Sequence, residues 1–94
     1  MRHFIIVKLK DSSKRRELIA PITELFSASY EIDGVSQVSV HECCTPFENR
    51  YDIMIEMVME ERALPVYNDS EMHRTWKRVY GELIEKKAIF DAET

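Results

Sequence analysis

The segment "YDIMIEMVME" constrains the fold more than any other part of the chain. Tyr51, Ile53, Ile55, Met57 and Met59 fall on one parity, and Asp52, Glu56 and Glu60 on the other. A period of two puts the first set on one face of a strand, and that face must be covered by something else. With 94 residues the covering elements have to come from the same single domain, residues 1–94.

The remaining elements follow from local pattern. Residues 2–10 carry apolar side chains on both parities and end in alternating lysines, which suits a mostly buried strand emerging into solvent. Asp11, Ser12 and Ser13 offer N-caps to a helix whose apolar positions are Leu18, Ile19, Ile22, Leu25 and Phe26. Pro21 lies inside it, and because an interior proline costs about 3 kcal/mol, a kink or an irregular first turn is expected. Gly34 ends the connection, "VSQVSVHE" alternates as a strand from Val35 to Glu42, and "CCTPFENR" has the chemistry of a hairpin loop. After the Tyr51–Met59 strand, residues 61–68 form a short helical piece, Ser70 caps a helix running to about Ile84, and "KKAIFDAE" closes as a strand. The order βαββαβ with right-handed crossovers predicts an α+β, ferredoxin-like fold, a four-stranded antiparallel sheet with both helices on one face.

In this topology His3, Ile5, Val7 and Leu9 face the helices, and Phe4, Ile6, Lys8 and Lys10 face away. The far face then presents Phe4, Ile6, Val38, Val40, Met54, Val58 and Phe90, more apolar surface than a monomer leaves in water. A second copy covering it predicts a homodimer through the sheet, with Lys8 and Glu56 able to pair on neighbouring strands. A slip at a bulge would exchange the two sets.

The first and third strands are antiparallel neighbours, so His3, Tyr67 and His73 are expected at one corner. On a projection at about 100° per residue, Met72, Trp76, Val79, Tyr80 and Leu83 form the buried stripe, with His73 at its edge. Two imidazoles and a phenol beside an apolar cavity suit general acid–base work on a carbonyl compound. Ile5, Val7, Ile53, Ile55, Met57, Trp76 and Tyr80 are the expected walls for a small apolar or carbonyl-bearing ligand. The competing reading makes the histidines hydrogen-bonded core-edge residues of a structural dimer module.

Other chemistry is excluded or unsupported. The net charge of -4, with charges of both signs interspersed, lacks the basic stripe that nucleic acid needs. No segment approaches the roughly 20 apolar residues of a membrane span, and a cytoplasmic location is expected. Adjacent Cys43 and Cys44 suit reduced thiols. "HECC" lacks a four-ligand metal set, and there is no glycine-rich phosphate loop, so no metal and no cofactor is expected.

Taken together and in order, "RHFIIVKLK", "VSVHECCTPFENRYDIMIEMVME", "YNDSEMHRTW" and "AIFDAE" resemble the stress-responsive A/B barrel (Dabb) family over nearly the whole chain. The resemblance implies a ferredoxin-like subunit that dimerises through its sheets into an α+β barrel. Most members have no assigned activity. One enzyme of the family performs an aldol cyclisation of a linear polyketide, and its first-strand histidine, tyrosine and helix-region histidine match His3, Tyr67 and His73. Where the family usually shows His-Pro-x-His, this chain has Ser70, Glu71, Met72 and His73. A third reading, a dimeric-barrel monooxygenase, rests on shared fold alone.

Overall fold

In the computed structural model, which describes residues 1–93, the four strands and the helices appear in the expected order. Thr94, the last residue of the expected domain, lies outside the described residues. Strands β1 (Arg2–Leu9), β2 (Val35–Glu42), β3 (Ile53–Met59) and β4 (Ile84–Ala92) form one sheet in the order β2-β3-β1-β4. Each paired neighbour is antiparallel. Helix α1 (Arg15–Ser27) follows β1, while α2 (Ala63–Asn68) and α3 (Glu71–Thr75) follow β3. Among the described residues no helix is long and apolar enough to cross a membrane.

Burial along β1 and β3 alternates without a fault, and Ile5, Val7, Leu9, Ile53, Ile55, Met57 and Met59 pack with Ile22, Phe26, Met72 and Trp76. At about 25 cal/mol per Å² of apolar surface removed from water, this cluster is the main stabilising term. Pro21 sits within α1, and the irregular start expected of that helix is a 3-10 turn at Ser12–Lys14, where Asp11 accepts a hydrogen bond from the Ser13 N–H at 3.1 Å. Gly34 adopts φ +101° at the turn into β2, a conformation that side-chain-bearing residues rarely adopt. A Cβ there would also meet the Ala63 Cβ at 3.2 Å.

Four expectations are corrected. The helix capped by Ser70 ends at Thr75 as α-helix, then continues as a π turn (Trp76–Tyr80) and a 3-10 turn (Gly81–Leu83), so β4 starts at Ile84. The π turn advances less than 100° per residue, and Val79 therefore leaves the buried stripe and stands 49% exposed. Val38 and Val40 pair with Met57 and Ile55 and pack on the core, so they belong to the helix side; the register shift between Val35 and Gln37 exchanges the parity of β2. The far face of that strand is instead Gln37, Ser39 and His41, opposite Val58, Glu56 and Met54.

The alternation of the third segment also breaks where the strand begins. Asp52 is buried, while Tyr51 is half-buried beneath the Lys86 ammonium, 5.4 Å from its ring centre. Glu56, finally, pairs with Arg2 and lies 3.4 Å from His41 Nε2, whereas Lys8 approaches Asp52 at 3.9 Å. Phe4 rather than Lys8 is the cross-strand partner of Glu56.

Candidate functional site

The start of β1, the α2 helix and the α3 helix meet at one end of the sheet, and the backbone fixes each side chain in turn. His3 is on the helix face of β1 and only 5% exposed. Antiparallel pairing sets Asp91 of β4 directly opposite it, with Nδ1 and Oδ1 2.5 Å apart. A carboxylate only accepts, so Nδ1 carries a proton and donates to Asp91, and Nε2 is the ring nitrogen left for a ligand.

Tyr67 and His73 are held together by Ser70, which stands in the gap between α2 and α3. Its hydroxyl donates to the Tyr67 carbonyl at 2.6 Å and accepts from the His73 N–H at 3.1 Å. The serine therefore caps α3 and ties it to α2 at the same time. Tyr67 is 1% exposed; its ring meets that of His3 edge-on at 5.6 Å and that of His73 at 4.9 Å. Phe26 and Trp76 pack edge to face at 5.1 Å behind it.

The Tyr67 hydroxyl is buried without a hydrogen-bond partner among the described residues. An unpaired buried polar group costs about 1–3 kcal/mol, so it is an exception that needs a cause. Burial pushes the phenol well above its ordinary range, and it stays a neutral donor. His73 moves in the opposite sense. Burial, with the nearby Lys77 ammonium, holds its imidazole below the ordinary value, so the neutral, proton-accepting form prevails at neutral pH.

These groups line a cavity of about 220 Å³ whose walls are His3, Ile5, Leu64, Tyr67, Asn68, His73, Trp76, Lys77, Lys87, Ile89 and Asp91. It is smaller than the roughly 300 Å³ at which pockets for drug-sized ligands begin, so its occupant is small. A larger concavity of about 370 Å³ adjoins it through Leu64 and Asp91, but is lined by Met1, Glu61, Ala92 and Glu93 and has no imidazole or phenol.

The structure thus brings His3, Tyr67 and His73 into one cavity, with Ile5 and Trp76 among its walls. Val7, Ile53, Ile55 and Met57 do not line it: they are 0–1% exposed and packed in the core between sheet and helices. Tyr80 is half-buried against Trp76, ring to ring at 5.4 Å, outside the lining. Sequence reasoning missed Asp91, Lys77, Lys87, Leu64, Asn68 and Ile89. Lys87, Ile89 and Asp91 share a parity in "KKAIFDAE", a usable signal, but only the β1–β4 register shows which face that parity is. His41, Cys43 and Cys44 stand apart from the cavity. The two thiols are unbridged, and no cluster among the described residues can hold a metal ion.

Fold and site together define a ferredoxin-like α+β chain with a polar-ended cavity between its sheet and its helices. Solved structures share that fold. A dimeric ferredoxin-like protein of unknown function from Bacteroides fragilis aligns over 99% of this chain and 94% of its own, with TM-score 0.80 and 17% identity. A Dabb family protein from Mesorhizobium loti aligns over 99% and 94%, with TM-score 0.74 and 22% identity. A protein from Bacteroides thetaiotaomicron provisionally assigned as an antibiotic biosynthesis monooxygenase aligns over 100% and 88%, with TM-score 0.76 and 16% identity. No protein-family model and no curated protein sequence matches the chain.

Proposed function

We propose that this chain is a Dabb-type homodimer that binds a small carbonyl compound between sheet and helices and removes a proton beside the carbonyl. The buried, unpartnered Tyr67 hydroxyl carries this reading, since a ligand oxygen in the cavity supplies the acceptor that the protein does not. In the reaction the carbon–hydrogen bond beside the carbonyl breaks, its proton passes to neutral His73, and its electron pair forms an enolate whose oxygen accepts from Tyr67. His3, with Nδ1 committed to Asp91, orients the ligand through Nε2. Closure of the enolate onto a second carbonyl of the same molecule would make the chemistry a polyketide-type cyclisation.

The test is exchange of the α-protons of a linear diketone in deuterated water, followed by NMR. The protein is expected to accelerate it, and His73→Gln or Tyr67→Phe to slow it by about a hundredfold. Binding without exchange would make the protein a carrier or structural module. No binding of any ketone would remove the site.

Self-association is supported by the far face of the sheet, where Phe4, Ile6, Met54 and Val58 are half-buried, Phe90 is 61% exposed, and the Phe4 and Phe90 rings lie 6.2 Å apart. The dimeric Bacteroides fragilis structure has the same fold. Light scattering should give twice the chain mass, and Phe90→Glu should halve it. A wild-type monomer at micromolar concentration would overturn the dimer.

A further inference from the structure

We infer that the cavity takes an oxo acid rather than a neutral ketone, with Lys77 and Lys87 at its mouth holding the ligand's carboxylate while Tyr67 donates to its carbonyl oxygen. This rests on the reading of the cavity as a carbonyl site and adds the charge of the ligand to it.

The two lysines come from different elements, the π turn and β4, yet both line the same small cavity. Both are exposed at its open side, next to Ile89, which is 50% exposed on the edge strand. Among the described residues Arg2, Lys8, Arg15, Arg16, Arg62 and Arg74 have a carboxylate within 4 Å and the other seven basic side chains have none, but of those seven only Lys77 and Lys87 line this cavity. Asp91, the carboxylate in the cavity wall among the described residues, accepts from His3 Nδ1 and still counts as one negative charge against the two ammoniums. In a chain of net charge -4, two ammoniums against one carboxylate leave the lining of this cavity net positive, which favours an anion.

The cavity therefore has a polarity from end to end. A buried neutral donor lies inside, Ile5 and Trp76 form apolar walls, and positive charge waits at the opening. An oxo acid places its carbonyl, its chain and its carboxylate against these in order. Carboxylate binding also bears on the base. The groups facing His73 are Lys77 on its own segment, Lys87 and Asp91 on β4, His3 on β1, and Tyr67 and Asn68 on α2. Both ammoniums disfavour the His73 imidazolium, Lys77 more than Lys87, after burial itself. An anion between them offsets that effect, and by reciprocity a protonated His73 holds the anion more tightly.

The experiment compares 5-oxodecanoate with its methyl ester on the wild-type protein and on the double variant Lys77→Gln/Lys87→Gln, by calorimetry at low salt. The acid is expected to bind about tenfold more tightly than the ester, and to fall to the level of the ester in the double variant or at high salt. Ester affinity should be the same in both proteins. The histidine NMR titration supplies a second readout: the midpoint of His73 should rise with the acid bound and stay put with the ester. Equal affinity of acid and ester would overturn the anion clamp and leave the carbonyl site standing. Preference for the acid that survives the double variant would also overturn it. If neither compound binds, the carbonyl site fails, and the clamp with it.

Discussion

The two ends of β1 each carry a buried polar group, and the two are treated in opposite ways. Near Leu9, the Asp52 carboxylate accepts from the Leu9 N–H at 2.8 Å and from the Ser12 hydroxyl at 2.9 Å, with Arg15 Nη1 at 3.6 Å. Near His3, the Tyr67 hydroxyl is equally buried and accepts or donates nothing among the described residues. Asp52 fastens the end of β1 to the start of α1, so its full set of partners serves the fold. Tyr67 has its ring packed and its hydroxyl unspent, which is the pattern of a group that meets its partner only when a ligand arrives.

The largest effect should come from the satisfied end. Asp52→Ala strips an acceptor from a buried backbone N–H and a counter-charge from Arg15, and should cost about 3 kcal/mol, or more than about 10 °C in melting temperature. Asp52→Asn keeps one acceptor oxygen and should cost roughly half as much. If Asp52→Ala melts like the wild type, the carboxylate is not the fastening.

Tyr67→Phe should do the reverse. Removing a hydroxyl that has no partner leaves the fold no weaker and can stabilise it by about 1 kcal/mol, while ligand affinity drops about tenfold. A fall in melting temperature like that of Asp52→Ala would show that the hydroxyl already has a structural partner, and the contrast between the two ends would disappear.

The smallest effect is the pH response of His73. Its folded value lies below the ordinary 6.5, so the neutral form is favoured by folding. The contribution is complete above pH 6.5 and is lost as pH falls from there through the folded value. Between pH 7.5 and 5 the wild type should therefore lose more stability than His73→Gln, measured by urea unfolding at each pH. Equal losses would place His73 in water and detach it from the cavity.

Much of the fold was legible in sequence because burial on a strand is periodic. The alternation of Ile53, Ile55, Met57 and Met59, the Asp11 and Ser70 caps and the turn at Gly34 are local signals, and local signals survive without knowledge of partners. Val38, Val40, Tyr51 and Asp52 were misplaced because a register shift or a strand end reverses parity without any mark in composition. Val79 was misplaced because one π turn changes the angular step on which a helical projection depends.

The site divides in the same way. The sequence by itself determined which chemistry was on hand, two imidazoles and a phenol on elements that the βαββαβ order brings to one end. Only the tertiary structure decided that Asp91 holds His3, that Ser70 joins Tyr67 to His73, that Val7, Ile53, Ile55 and Met57 are core, and that Lys77 and Lys87 share a mouth. Each of these depends on strand register or on how two separate elements pack. Those are long-range quantities, fixed by contacts between residues up to 88 positions apart, and no local window contains them.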